Sequence, residues 1–276
     1  MINYNGELLA VDAALSNLNR GFLYGDGVFE TLKIVDNKIL YFEDHYFRLM
    51  ASMRIVRMKI PTNFTLEFLE TEILNLAKAN LIENSARIRF TVFRNDGGFY
   101  LPKTREVSYL IQAYHLENKL YSVDFSACEV DLYKDFFVSN QLLSTLKTTN
   151  KMIHITGSIY ADENGFQNCL LLNNDKSIVE ALNGNIFMLL GNTLITPPIS
   201  DGCLNGILRK QVLSLSKINE SVTFLEKSIS PFDLQKADEL FFTNVISGIT
   251  PITKYRKKTY TTDLSLQLQH QLNTVF

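Results

Sequence analysis

The sequence has few of the residues on which disulfide-rich or metal-binding proteins depend. Its 276 residues contain no tryptophan and three cysteines, which are Cys128, Cys169 and Cys203. Their odd number and wide spacing suit a reducing compartment better than a disulfide framework, and none has metal-ligand spacing. The histidines are equally scattered, so we expect structural roles for them and no metal site: His45, His115, His154 and His270.

The chain also lacks a strong charge of either sign and any long hydrophobic run. Lys and Arg total 27 and Asp and Glu total 29, which argues against a polyanion such as nucleic acid as partner. No apolar run approaches membrane length, and the N-terminus has neither a basic flank nor an apolar signal core. We therefore expect a cytoplasmic protein. With 46% hydrophobic residues the chain can bury a core, which predicts a globular fold.

The hydrophobic periodicity predicts a mixed α/β (α+β) protein of two domains. Strands are predicted at 7–11, 28–35 and 38–42, with an Asp36-Asn37 turn, then helices at 43–58 and 66–79 and strands at 86–94 and 107–114. These make a small α/β domain over residues 1–114, and residues 115–122 serve as a linker.

A larger domain is predicted over residues 123–276. Its expected strands cover 123–131, 169–172, 185–190, 193–196 and 239–243, and its expected helices cover 150–163, 206–217 and 263–274. Ser230, Pro231 and Asp233 supply an N-cap, a first-turn proline and an acid, which predict a further helix start.

Three features with complementary chemistry follow one another between residues 145 and 209. Lys147 offers a nucleophilic amine, Glu180 a carboxylate, and Gly206 leads into a predicted helix. Pyridoxal phosphate enzymes need these parts: an amine for the aldehyde, a carboxylate for the pyridine nitrogen, and free helix amides for the phosphate.

The motifs around these residues resemble the class IV aminotransferase family, the fold type IV pyridoxal phosphate enzymes. The resemblance runs over almost the whole chain and rests on segments in the family's order: 20–31 (RGFLYGDGVFET), 45–49 (HYFRL), 144–151 (STLKTTNK), 179–187 (VEALNGNIF), 205–209 (NGILR), 237–244 (ADELFFTN) and 249–251 (ITP). It implies a small N-terminal α/β domain, a larger C-terminal pseudo-barrel domain that binds pyridoxal 5'-phosphate, and a homodimer with the active site near the interface.

The resemblance also assigns roles to single residues. Lys147 matches the Schiff-base lysine, with Lys151 as its local competitor, and Glu180 matches the carboxylate beside the pyridine nitrogen. Arg48, on a predicted helix, matches an arginine that contacts the phosphate; a planar guanidinium suits paired phosphate contacts. The amides of the predicted helix start, and a second loop, match the remaining phosphate contacts: Gly206, Ile207, Leu208, Thr243 and Asn244.

Two activities within the family compete for this chain. Residues 94–100 (RNDGGFY) and the Asn-Gly-Ile form at 205–207 are more similar to 4-amino-4-deoxychorismate lyases, which release pyruvate and 4-aminobenzoate for folate synthesis. Branched-chain aminotransferases are the alternative, and D-amino acid aminotransferases are third because their Pro-Arg-Ala-His loop is missing.

The chain also departs from the lyase pattern. Phe99 replaces an arginine of many lyases, and Glu30 interrupts a Phe-Thr-Thr run, although Thr31 keeps a hydroxyl that would position or protonate the leaving group. Both activities use a small-molecule amino substrate and the same cofactor contacts. A pyridoxal-binding relative without activity is disfavoured because Lys147 and Glu180 are both present.

Overall fold

The computed structural model describes residues 1–122, 126–215 and 222–274, which divide into two compact units. The first unit comprises residues 1–119 together with Lys147–Asn150, and the second comprises the rest. Both units combine strands with helices, so the predicted mixed α/β class is confirmed. None of the helices in the described ranges is long and apolar enough to span a membrane.

The first unit is an antiparallel six-stranded sheet covered by helices. The elements are β1 (Ile2–Tyr4), β2 (Glu7–Leu9), α1 (Arg20–Tyr24), β3 (Gly27–Val35), β4 (Lys38–Ile39), α2 (Phe42–Ile55), α3 (Leu66–Ala79), β5 (Ser85–Arg94) and β6 (Val107–His115). The strand order is β2-β1-β6-β5-β3-β4.

Successive side chains of β3 point to opposite faces of the sheet, and one of these faces lies against an apolar core. Val28, Leu32 and Ile34 belong to the apolar core that the sheet forms with α2 and α3. The β3–β4 hairpin is confirmed: Asp36 and Asn37 have φ values of 47° and 60°, the left-handed conformation that a tight two-residue turn requires.

The second unit contains two five-stranded sheets. Its elements are β7 (Glu129–Val138), α4 (Met152–Glu163), β8 (Asn168–Asn173), β9 (Ile178–Ala181), β10 (Asn185–Leu190), β11 (Thr193–Thr196), α5 (Ile207–Ser214), β12 (Thr223–Glu226), β13 (Glu239–Asn244), β14 (Gly248–Ile252), β15 (Lys254–Tyr255), β16 (Lys258–Thr259) and α6 (Asp263–Asn273). The strand orders of the two sheets are β12-β11-β10-β13-β14 and β16-β15-β7-β8-β9.

Some predicted elements are wrong or shifted. The helix expected after Ser230 is only a 3-10 turn at Asp233–Gln235, because Leu234 is already fully buried and β13 begins at Glu239. The strand predicted at 123–131 begins at Glu129 and continues to Val138; residues 123–125 lie outside the described ranges, as do 216–217 of the helix predicted at 206–217.

Candidate active site

Lys147 lies at the edge of the first unit's sheet. Its carbonyl accepts a hydrogen bond of 2.8 Å from the backbone N–H of Phe29, and the N–H of Thr149 donates to the Gly27 carbonyl at 2.9 Å. These bonds hold the segment against the start of β3. The Lys147 side chain is half-buried, and its Nζ lies 4.6 Å from the centroid of the Phe29 ring.

A second cation lies over the same aromatic ring. The Cζ of Arg89 is 3.8 Å from the Phe29 centroid, and Arg89 on β5 is directly opposite Thr31 on β3. Burial, and next the charge of Arg87, lower the pKa of Arg89. This face of the sheet therefore presents a fixed positive charge near the Lys147 amine, with the Thr31 hydroxyl on the same strand as Phe29.

The other face of β3 carries a buried ionic cluster. Nε of Arg48, on α2, donates to Oε1 of Glu30 at 2.8 Å, its Nη2 donates to Oε2, and Nδ1 of His45 lies 2.7 Å from Oε2. Burial would raise the pKa of Glu30, but Arg48 and His45 outweigh it and hold the pKa at about 2. Glu30 is therefore an anion at neutral pH.

Glu180, on β9 of the second unit, is a buried carboxylate with both oxygens engaged. Oε1 lies 3.0 Å from Nε2 of His154 on α4, and Oε2 accepts the backbone N–H of Leu204 at 2.9 Å. Burial would raise the pKa of Glu180, but the His154 and Leu204 contacts and the charge of Lys151 lower it overall. The structure thus keeps this carboxylate ionised inside the protein.

Two residues beyond Leu204, Gly206 is the N-cap of α5, and Ile207 and Leu208 form its first turn. First-turn amides have no partner within a helix, and here both residues are buried. A side chain at Gly206 would overlap Oδ1 of Asn185, whose Nδ2 donates to the Leu204 carbonyl at 2.8 Å. Only glycine leaves this helix start open.

Strand pairing places Thr243 beside Asn185, which contacts the start of α5 at Gly206. It lies opposite Asn185 in the β10–β13 ladder, is 2% exposed, and its Oγ1 has no hydrogen-bond partner among the described residues. Asn244 instead shapes the following turn, because its Oδ1 accepts the N–H groups of Ile246 and Ser247, each at 3.0 Å. An unpaired buried hydroxyl beside open helix amides is suited to a polar ligand.

The backbone of the loop between β5 and β6 is anchored by Arg20. Nη1 of Arg20 donates to the carbonyls of Gly97, Gly98 and Phe99, and its Nε donates to Asp26 at 2.9 Å. The Phe99 ring itself is 83% exposed. The loop thus has a fixed backbone and an exposed aromatic side chain.

Comparison with known proteins decides the family. The family model described as amino-transferase class IV matches residues 27–255. The chain belongs to the class IV aminotransferase family.

Several known proteins resemble this class IV chain over nearly its full length. A putative branched-chain-amino-acid aminotransferase of Methanocaldococcus jannaschii is 29% identical over 254 residues, which is 91% of this chain and 86% of that protein. A D-alanine aminotransferase of Staphylococcus epidermidis is 24% identical over 266 residues, covering 91% and 87%. The structure of a putative 4-amino-4-deoxychorismate lyase from Legionella pneumophila has the same fold, with a TM-score of 0.86, 20% identity and 96% of each chain covered.

Class IV aminotransferases depend on pyridoxal phosphate, so this chain is a pyridoxal phosphate-dependent aminotransferase or lyase. Its residues fit that cofactor. The second unit offers an ionised buried carboxylate for the pyridine nitrogen and, linked to it through Leu204 and Asn185, open amides and an unpaired hydroxyl for the phosphate. The first unit offers a half-buried lysine for the aldehyde.

Sequence analysis did not identify five residues that the structure places around the predicted site residues: Glu30, His45, Arg89, His154 and Asn185. A signal existed for His45, because it stands three positions before Arg48 on one helix and residues at that spacing share a face. His154 offered no such signal, since its contact with Glu180 joins α4 to β9 across 26 positions. Glu30 had been noticed only as a departure from a related pattern.

Proposed function

We propose that this protein is an aminotransferase that acts on an α-amino acid, with Lys147 as its reactive amine. One observation carries the choice: Arg89 and Lys147 lie over the same Phe29 ring, at 3.8 and 4.6 Å from its centroid. In an α-amino acid the carboxylate is attached to the carbon that bears the amine. A fixed cation close to the reactive lysine suits that arrangement.

Each residue has a defined task in this proposal. Bound pyridoxal phosphate supplies the electron sink for the charge left when the α-proton departs. Lys147 would hold the cofactor by its aldehyde carbon, and with substrate bound its free amine would take and hold the α-proton. Arg89 pairs with the carboxylate and orients the α-carbon–hydrogen bond towards the Lys147 amine.

The cofactor contacts follow the resemblance. Glu180 keeps a proton on the pyridine nitrogen by remaining ionised beside it. Arg48 and the start of α5 at Gly206, Ile207 and Leu208 bind the phosphate, together with the Thr243 hydroxyl. Asn244 takes part by fixing the turn that follows Thr243, because its side-chain oxygen accepts the amides of that turn.

The lyase is the second candidate, favoured by residues 94–100 and 205–209. The carboxylate that its product 4-aminobenzoate keeps lies across the ring from the amine, so in this reaction Arg89 would pair with the carboxylate of the group that leaves as pyruvate. In that reaction Lys147 takes the proton from the carbon bearing the amine, Thr31 positions the departing group, and pyruvate leaves. A role in folate synthesis depends on this candidate.

The deciding experiment follows both reactions on one preparation. Cofactor-loaded enzyme is mixed with leucine, D-alanine or glutamate without an oxo acid, and separately with aminodeoxychorismate while pyruvate is assayed. We expect one of the amino acids to convert the cofactor to its amino form and a 2-oxo acid to restore it. Repeated pyruvate release from aminodeoxychorismate, with no change by any amino acid, would establish the lyase instead.

Arg89 provides the specific control. Arg89→Ala should raise KM for the amino acid about 10- to 100-fold, the loss of a charge-assisted contact of ~1.5–3 kcal/mol. Arg87→Ala, an exposed arginine two residues away on the same strand, should leave KM nearly unchanged. Equal effects of the two substitutions would contradict a carboxylate site at Arg89.

A homodimer and a cytoplasmic location also belong to the proposal. The first rests on the resemblance and the second on the three widely spaced cysteines, which suit a reducing compartment. Sedimentation of the loaded enzyme tests the first, and cell fractionation tests the second.

A further inference from the structure

Glu30 is an unusual residue for the core of the first unit. It is 2% exposed, and its neighbours on the same face of β3, Val28 and Leu32, are apolar core residues. An ionised carboxylate in such a place costs several kcal/mol of desolvation, which only well-placed partners offset. An apolar side chain of similar size would stabilise the sheet more simply, so Glu30 calls for a role beyond packing.

The geometry of its contacts indicates that role. Nε and Nη2 of Arg48 each donate to a different oxygen of Glu30, a paired contact that fixes the plane of the guanidinium. The Arg48 side chain is 12% exposed. A long side chain that would otherwise sample many rotamers is thereby held in one direction.

His45 in turn orients the carboxylate. Burial lowers the pKa of His45, and the charges of Arg48 and Lys147 lower it further, against the opposing effect of Glu30. A neutral ring whose Nδ1 lies 2.7 Å from a carboxylate oxygen carries its proton on Nδ1 and donates it. Its Nε2 is buried and has no hydrogen-bond partner in the described part of the chain, so this single contact holds the ring.

We propose that Glu30 and His45 are positioning residues that hold Arg48 in the orientation in which it binds the cofactor phosphate. The inference rests on the proposed role of Arg48. It makes a counter-intuitive prediction, because Glu30 is an anion next to the site of a dianion. If Glu30 only compensated charge, its removal would tighten phosphate binding; if it positions Arg48, its removal weakens that binding.

The experiment compares two ligands that differ only in the phosphate. Apoenzyme is titrated with pyridoxal 5'-phosphate and with pyridoxal, and both dissociation constants are read from absorbance. We expect Glu30→Gln to weaken pyridoxal phosphate binding about ten-fold or more and to leave pyridoxal binding almost unchanged. A merely structural loss would weaken both ligands equally.

His45 gives a second, independent pair of variants. His45→Leu removes the donor to Glu30 and should reproduce the selective loss, whereas His45→Asn keeps an N–H near the position of Nδ1 and should restore it in part. Ser85→Ala is the matched control, since it removes another buried hydrogen bond to β3, from Ser85 Oγ to the Ile34 carbonyl at 3.1 Å. It should change neither dissociation constant.

Each contrary result would overturn a different part of the inference. Tighter pyridoxal phosphate binding by Glu30→Gln, or equal losses for both ligands, overturns the positioning role. If Arg48→Lys also leaves pyridoxal phosphate binding intact, the phosphate role of Arg48 falls and this inference with it. The amino-transfer assay is separate, so an active enzyme with unaffected Glu30 and His45 variants overturns this inference and leaves the proposed function standing.

Discussion

Nε2 of His154 lies 3.0 Å from Oε1 of Glu180, and this contact joins helix α4 to strand β9. The histidine and the Leu204 N–H together occupy both oxygens of a carboxylate whose pKa burial alone would raise. The charge state of Glu180 is therefore set by its neighbours.

His154 should be needed for the charge of Glu180. His154→Leu removes a hydrogen bond to a charged group, worth ~1.5–3 kcal/mol, and should lower kcat about 10- to 100-fold while shifting activity to higher pH, because the Glu180 pKa rises. His154→Gln, which keeps a donor near Nε2, should recover most of the rate. A pH profile that is identical in both variants and the wild type would contradict this role.

Lys147 should hold the cofactor covalently. Lys147→Ala should lose the visible absorbance of the lysine-bound cofactor and its trapping by borohydride. Lys151→Ala, the competing lysine, should retain both. Borohydride trapping that survives in Lys147→Ala and disappears in Lys151→Ala would transfer the role to Lys151.

Thr243 allows cofactor binding to be separated from stability. Because its buried Oγ1 has no partner among the described residues, Thr243→Val should leave the free energy of unfolding of the apoenzyme unchanged or slightly higher, but should weaken pyridoxal phosphate binding. The control is Thr196→Val, where the lost Oγ1 donates to the Ile186 carbonyl at 2.8 Å. That substitution should destabilise the apoenzyme by ~1 kcal/mol. Chemical denaturation with and without cofactor measures both effects.

Gly206 should tolerate no side chain. Gly206→Ala places a methyl group against Oδ1 of Asn185, so we expect ~1–3 kcal/mol of destabilisation and weaker cofactor binding. Asn185→Ala removes the clashing atom, and in the double variant the penalty for Gly206→Ala should shrink. Simple additivity of the two substitutions would show that the clash is not the cause.

His45 should make stability depend on pH. Its pKa is lowered from 6.5 in the folded state, so as the pH falls below 6.5 the unfolded chain takes up a proton that the folded chain does not. Stability should therefore be complete above that pH and decline below it, by at most about 1.4 kcal/mol per pH unit from this group. The groups that face the ring are Glu30 and Arg48, with the charge of Lys147 in reach. Urea unfolding from pH 5 to 8 should show a shallower decline for His45→Asn.

The sequence predicted the regular elements and the residues that local motifs carry. The β3–β4 hairpin could be found because Asp36 and Asn37 are suited to positive φ, and the mixed α/β class followed from clear periodicity. The failure at Ser230 arose because capping signals are local, whereas burial of Leu234 is decided by the surrounding core.

Contacts between segments that are far apart in sequence could not be predicted either, because the sequence signals are local. Arg89 and Lys147 are far apart along the chain, yet both lie over the Phe29 ring. The sequence around an arginine on a strand does not indicate which aromatic ring it will contact. The roles predicted for Lys147, Glu180, Arg48 and the phosphate-binding residues remain predictions, which the experiments above address. The domain limits at residues 114 and 122 likewise remain a prediction.

The first unit is built from two separate segments of the chain, which affects how it folds during synthesis and how it can be cut. The first unit ends at Lys119 but regains Lys147–Asn150, which bond to Phe29 and Gly27. During synthesis, this edge of β3 at its start stays unpaired until residues 147–150 have been made. A fragment cut at residue 119 would lack the lysine altogether, and a fragment long enough to include Asn150 also carries residues 120–146 of the second unit. No single cleavage therefore releases the first unit by itself, which limits where the enzyme can be split or fused.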